Sequence, residues 1–170
     1  MPKNVRIEGS DVEGAIHPPI NNLLDALTFK LARLVALNFH AGSRKFRDAY
    51  GLSLNQWRVI GLVNALTPVT FGRIRRILVM DKGQLSRVIK QLTDRGLLVT
   101  HPAADDARAV ELSLTKMGRE LHDKVLIFTS QRNEAVVETL TQEECCEFLR
   151  ILKKITAHNE QLSEVAEILE

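Results

Sequence analysis

From Lys82 to Gln91, hydrogen-bonding residues and apolar residues sort onto opposite sides of a helical wheel. Gly83, Gln84, Ser86, Arg87, Lys90 and Gln91 lie away from Leu85, Val88, Ile89 and Leu92. A stripe of donors and acceptors suits the edges of nucleic-acid bases. Arg87 has the fork that fits guanine, Gln84 has the amide that fits adenine, and Ser86 serves base or phosphate. Gly83 lets the start of the helix approach closely, while Lys82 and Lys90 suit phosphates. Any solvated surface helix also has a polar face, so the elements around this one must decide between the two readings.

Charge separates along the chain. The 170 residues are 45% hydrophobic and 26% charged, as in a globular protein long enough to bury a core, and the formal net charge is only +2. Yet Phe71–Thr100 carries seven basic residues against two acidic ones, and Asn133–Glu170 carries nine acidic against three basic. Arg73, Arg75 and Arg76 belong to the basic island and can add phosphate contacts, a solvated charge run being the other reading of them.

The elements that position the stripe follow from periodicity and capping. Residues 1–19, with Gly9, Gly14 and Pro18-Pro19, show no helical period and are expected to form a flexible arm. Over 20–50, Ile20, Leu24, Leu27, Leu31 and Leu34 alternate steps of four and three, the seam of a long helix that meets another helix. Ser53 with Gln56 predicts a capping box and a second helix to about Leu66. Thr70 caps a short third helix with Phe71, Ile74, Ile77 and Leu78 inside, and Asp81 opens the fourth, which stops at Gly96. Leu97–Val99 and Val110–Leu114 read as two strands around a polar loop, HPAADDARA. Thr115 caps a fifth helix, and Thr141 with Glu144 caps a sixth. There Phe148, Leu152, Ile155, Asn159, Leu162, Ala166 and Leu169 again alternate steps of four and three, with Asn159 as a polar residue that sets register or simply faces solvent.

The expected fold is therefore mostly α with a small β-hairpin wing: a winged helix-turn-helix over 51–114, between a dimerisation helix at 20–50 and dimerisation helices at 115–170. Three stretches, GLSLNQWRVI from Gly51, MDKGQLSRVIKQLTDRGLL from Met80 and DARAVELSLTKMGREL from Asp106, resemble the MarR family of bacterial transcriptional regulators. The resemblance implies a homodimer that sets its two recognition helices in the major groove of a palindromic double-stranded operator. It implies contacts from Arg108 in the minor groove at the wing tip, oriented by Asp106, a role that a narrow, electronegative groove makes physically sound. Leu24, Leu27, Leu31, Phe148, Leu152, Ile155, Leu162 and Leu169 are the expected dimerisation residues. Two departures weaken the wing: Ala107 stands where a second arginine is frequent, and Thr100-His101 replaces a basic pair.

Many relatives release DNA when a small phenolic or anionic effector binds. Phe39, Phe46 and Trp57 could line such a pocket, although aromatics at helical spacing are more often plain core. The five histidines include no pair at metal-ligand spacing, and no phosphate loop, nucleophile elbow or paired-acid motif supports an enzyme or a cofactor. Cys145 and Cys146 are helix neighbours that cannot form an unstrained bridge, and nearby Glu143, Glu144 and Glu147 oppose a redox thiolate. The first residues lack the apolar core of a signal peptide and no run is long enough to span a bilayer, so no membrane role and a cytoplasmic location are expected. The competing reading is a helical protein-interaction module that uses its acidic C-terminal half and never touches DNA. Such a module has no use for a basic recognition helix and wing.

Overall fold

The computed structural model describes residues 17–103 and 109–169, with the backbone alone for 40–42, 45 and 163–169. The described chain runs α1 Leu27–Tyr50, α2 Leu54–Leu66, β1 Val69–Thr70, α3 Phe71–Leu78, α4 Lys82–Asp94, β2 Leu98–Pro102, β3 Val110–Leu114, α5 Lys116–Val137 and α6 Gln142–Leu169. It divides into two compact units, residues 1–118 and 119–170. No helix of the described residues is long and apolar enough to cross a membrane.

The helix expected from Ile20 starts later. Asn22 Oδ1 accepts from the Leu24 N–H at 2.8 Å, and Asp25 Oδ2 accepts from the Asn21 and Asn22 N–H groups at 2.9 and 3.1 Å. These side chains compete for backbone groups and close a single 3-10 turn, Leu23–Asp25, before an extended Ala26. Ile20 thus lies outside any helix, Leu24 sits in the separate turn, and Leu27, Leu31 and Leu34 remain on α1. At the other end, Gly51 takes a left-handed φ of 61° and its N–H donates to the Arg47 carbonyl at 2.8 Å.

The capping expected of α2 is present in full. The Gln56 N–H donates to Ser53 Oγ at 3.2 Å and the Ser53 N–H donates to Gln56 Oε1 at 2.8 Å. Helix α2 then packs against α3, α4 and β3, burying Val59, Ile60 and Val63 completely, along with Ile74 from α3 and Leu85 and Leu92 from α4. This is the core of the first unit. On α3 only part of the expected inner face is inside: Ile74 is buried and Phe71 and Leu78 are half-buried, but Ile77 is exposed. Ile77 lies roughly 100° around the helix from Leu78, beyond the reach of α2 in so short a helix.

The sheet has a third strand that the pattern did not announce. Val69 and Thr70 pair antiparallel with Leu112 and Glu111, giving the order β1-β3-β2 with β3 central, and Leu98 to Pro102 run against Leu114 to Val110. Two residues are too few for alternation to be visible in sequence. Val69, Leu98 and Leu112 are buried and attach the sheet to the core.

In the second unit α6 opens with the expected capping box: the Glu144 N–H donates to Thr141 Oγ1 at 3.2 Å and the Thr141 N–H to Glu144 Oε2 at 2.8 Å. One turn on, Arg150 grips Glu147 through two hydrogen bonds of 2.7 and 2.6 Å, which hold the Glu147 carboxyl below its ordinary range. Both groups face water, so the pair contributes little to stability. Phe148, Leu152, Ile155 and Leu162 are exposed along α6, and Asn159 is exposed too, its side-chain amide donating to the Ile155 carbonyl at 2.9 Å.

Candidate nucleic-acid interface

Helices α3 and α4 are joined by a turn of three residues, Val79, Met80 and Asp81. The Val79 N–H donates to the Arg76 carbonyl and the Met80 N–H to the Arg75 carbonyl, both at 3.2 Å. This is the Schellman pattern that ends helices, with Val79 in the left-handed region at φ 50° and ψ 49°. The same pattern closes α4, where the Gly96 N–H donates to Thr93 at 2.8 Å and the Leu97 N–H to Leu92 at 2.9 Å, with Gly96 at φ 67°. Glycine meets the requirement at one end of α4, while a 91% exposed, β-branched valine sits under strain at the other.

Asp81 then caps α4, its Oδ1 accepting from the Gln84 N–H at 2.8 Å. Leu85, Val88, Ile89 and Leu92 are buried, which turns the other side of the helix outward: Lys82, Gly83, Ser86, Arg87 and Lys90 are exposed and Gln84 is half-buried. The Arg87 Nε–H rests on the Gly83 carbonyl at 3.4 Å, and Lys90 Nζ lies 2.8 Å from Asp94 Oδ2. Both contacts stay within the helix at its surface. Gln91, which the wheel puts on the same stripe, is instead turned to Gln56, whose Nε2 donates to Gln91 Oε1 at 3.0 Å. Nothing local signals that pairing, because the partners are 35 residues apart.

Thr70 Oγ1 accepts from the Arg73 N–H at 3.3 Å and starts α3, on which Arg73, Arg75 and Arg76 are all exposed. The β2–β3 hairpin extends beyond its strands with the Ala103 N–H donating to the Ala109 carbonyl at 2.9 Å. The expected tip residues, Asp106 and Arg108, lie outside the described residues. At the hairpin's base, Thr115 Oγ1 donates to the Gly96 carbonyl at 2.7 Å and accepts from the Gly118 N–H at 3.0 Å, tying the wing to the end of α4.

The other expected residues are spread over both units. Phe46 is buried, with its ring centroid 5.5 Å from Tyr50 and 6.3 Å from Trp57, so it is part of the core, while Phe39 is exposed. Leu24 and Leu27 are exposed and Leu31 is half-buried in the first unit. The side chain of Leu169 is not described. Cys145 is half-buried and Cys146 exposed, both as free thiols.

Three helices, a tight turn into α4 and a sheet-borne wing make a winged helix-turn-helix, and residues 50–109 match the sequence model of the MarR family. Over those residues the chain is similar to the MarR family. The chain is 27% identical over 135 residues to the uncharacterized HTH-type transcriptional regulator YkoM of Bacillus subtilis, covering 78% of its own length and 88% of that protein. A MarR/EmrR family transcriptional regulator from Acinetobacter sp. ADP1 superposes with a TM-score of 0.75 at 24% identity, over 82% of this chain and 99% of that one. Bordetella bronchiseptica BpsR, whose DNA binding is regulated by 6-hydroxynicotinic acid, superposes with a TM-score of 0.68 at 21% identity, over 76% of this chain and 97% of its own. The matched family model and the superposed structures are those of transcriptional regulators.

Proposed function

We propose that this protein is a sequence-specific, double-stranded-DNA-binding repressor that acts as a homodimer on a palindromic operator in the cytoplasm. The observation that carries the reading is the two-sidedness of α4: its apolar side is buried while Lys82, Gly83, Ser86, Arg87 and Lys90 are exposed on a helix-turn-helix. Gln84 joins them at the start of the helix. In this reading Arg87 and Gln84 read base edges, Ser86 reads base or phosphate, and Lys82, Lys90, Arg73, Arg75 and Arg76 hold phosphates. Arg108, oriented by Asp106, inserts into the minor groove.

Dimerisation is supported by apolar surface on both helical segments: Leu24, Leu27 and Leu34 in the first unit, and Phe148, Leu152, Ile155 and Leu162 in the second. A small phenolic or anionic effector that releases the DNA is the regulatory part of the proposal. BpsR, regulated by 6-hydroxynicotinic acid, supports it as a relative by fold.

Selection of bound fragments from random duplex DNA tests the whole reading. The expected product is a palindrome whose half-sites are about one helical turn apart, 34–36 Å. Recovery of unrelated fragments with no shared sequence would overturn it. Adding 6-hydroxynicotinic acid and other hydroxyaromatic acids to the selected complex tests the effector, and in vitro transcription from a promoter carrying the operator tests repression.

A further inference from the structure

Two long-range hydrogen bonds leave the C-terminal end of α4, and both finish on the corner between α1 and α2. Gln56 Nε2 donates to Gln91 Oε1 at 3.0 Å, and Arg95 Nη1 donates to the Gly51 carbonyl at 2.9 Å. Neither end on the corner is free to shift. Gln56 is 9% exposed and its Oε1 already accepts from the Ser53 N–H, which leaves its Nε2 aimed at Gln91. Gly51 is the left-handed cap of α1, so the direction of its carbonyl is set by the helix it ends. The α4 end of each bond is a long side chain on the surface. Apolar packing of Leu85, Val88, Ile89 and Leu92 keeps α4 on the core but is non-directional and permits small rotations. Two directional bonds, close together in sequence and anchored on one corner, restrict such rotation.

We propose that Gln91 and Arg95 are positioning residues that latch α4 to the end of α1, so that the direction of the Arg87 face is set by α1. The consequence for DNA rests on the function proposed above: if α1 belongs to the dimer frame, the latch transmits that frame to the recognition helix and sharpens the tolerated half-site spacing.

The latch is tested first without DNA. Full-length protein with Cys145 and Cys146 changed to serine carries nitroxides at positions 48 and 93, on α1 and α4, diluted with unlabelled chains so that only intrachain distances are read. The wild-type background is expected to give one narrow distance distribution and Gln91→Met with Arg95→Met a broad one. Gln91→Glu should stay narrow, because a carboxylate still accepts from Gln56. Equal stability of the variants by thermal melting separates loss of positioning from loss of fold. Gln91→Met alone serves if the double variant fails to fold. An unchanged distribution in the Met variants, or a Gln91→Glu distribution as broad as theirs, overturns the latch.

The second arm uses the selected operator and a copy with one base pair inserted between its half-sites. Misplacing a linked second contact is expected to cost the wild type about a hundredfold in affinity and the double Met variant about tenfold or less. Failure of the wild type to bind duplex DNA would overturn the DNA reading while the distance measurement still decides the latch.

Discussion

Gly118, in the first turn of α5, lies so close to the Leu97 carbonyl that a β-carbon would overlap the oxygen. That carbonyl also accepts from the Thr115 N–H at 3.1 Å, and Thr115 in turn holds Gly96. The backbone that closes α4 and the backbone that opens α5 thus meet where only hydrogen fits. Because the obstacle is main chain, it cannot swing aside as a flexible side chain would.

Gly118→Ala is therefore expected to lower stability by about 1–3 kcal/mol through overpacking. The control is Gly61→Ala in α2, where an added β-carbon meets nothing within 4 Å and removal of a helical glycine is expected to stabilise by about 0.5–1 kcal/mol. Urea unfolding of both variants should show shifts of opposite sign. Wild-type stability of Gly118→Ala would contradict the close approach.

Val79 occupies the position in the turn after α3 that Gly96 occupies after α4. Its side chain is almost wholly in solvent, so replacing it forfeits little packing. Val79→Asn, with a residue that tolerates the left-handed region, is expected to stabilise by about 1 kcal/mol. Thermal melting reads the change, and a lower melting temperature would count against strain at this residue.

Arg87→Ala and Lys90→Ala should separate base reading from phosphate contact. The arginine variant is expected to relax preference at one base pair of each half-site, a bidentate contact discriminating by about 1–3 kcal/mol. Lys90→Ala should weaken all sequences alike and reduce the salt dependence of binding. Its exposed bridge to Asp94 predicts almost no loss of fold stability. A base-by-base binding profile of Arg87→Ala that matches wild type would remove this residue from sequence reading.

Removing residues 146–170 deletes most of α6, including exposed Phe148, Leu152, Ile155 and Leu162, while leaving every proposed DNA-contacting residue in place. The truncated chain is expected to sediment as a monomer and to lose tight operator binding, because two recognition helices engage linked half-sites only when a dimer sets their separation. Undiminished affinity of a monomer for the palindrome would sink the dimer reading.

What the sequence determined by itself is local. Ser53 with Gln56, Thr70, Asp81 and Thr141 with Glu144 each place a side-chain oxygen within a few residues of the backbone N–H it accepts from, so each helix start is written in adjacent letters. The buried side of α4 is equally local, since four apolar residues within two turns leave one way for the helix to face. The tertiary structure decided what depends on distant partners. β1 exists because β3, more than forty residues later, offers Leu112 and Glu111 to pair with it. Gln91 turns from the DNA-facing stripe because Gln56 is held beside it, and Ile77 stays outside because α2 covers only a narrow face of α3. Competition between Asn22, Asp25 and the backbone detached Ile20 and Leu24 from a seam that periodicity alone had joined. Periodicity records which side chains are apolar; which of them are covered, and by what, is set by packing between segments remote in sequence.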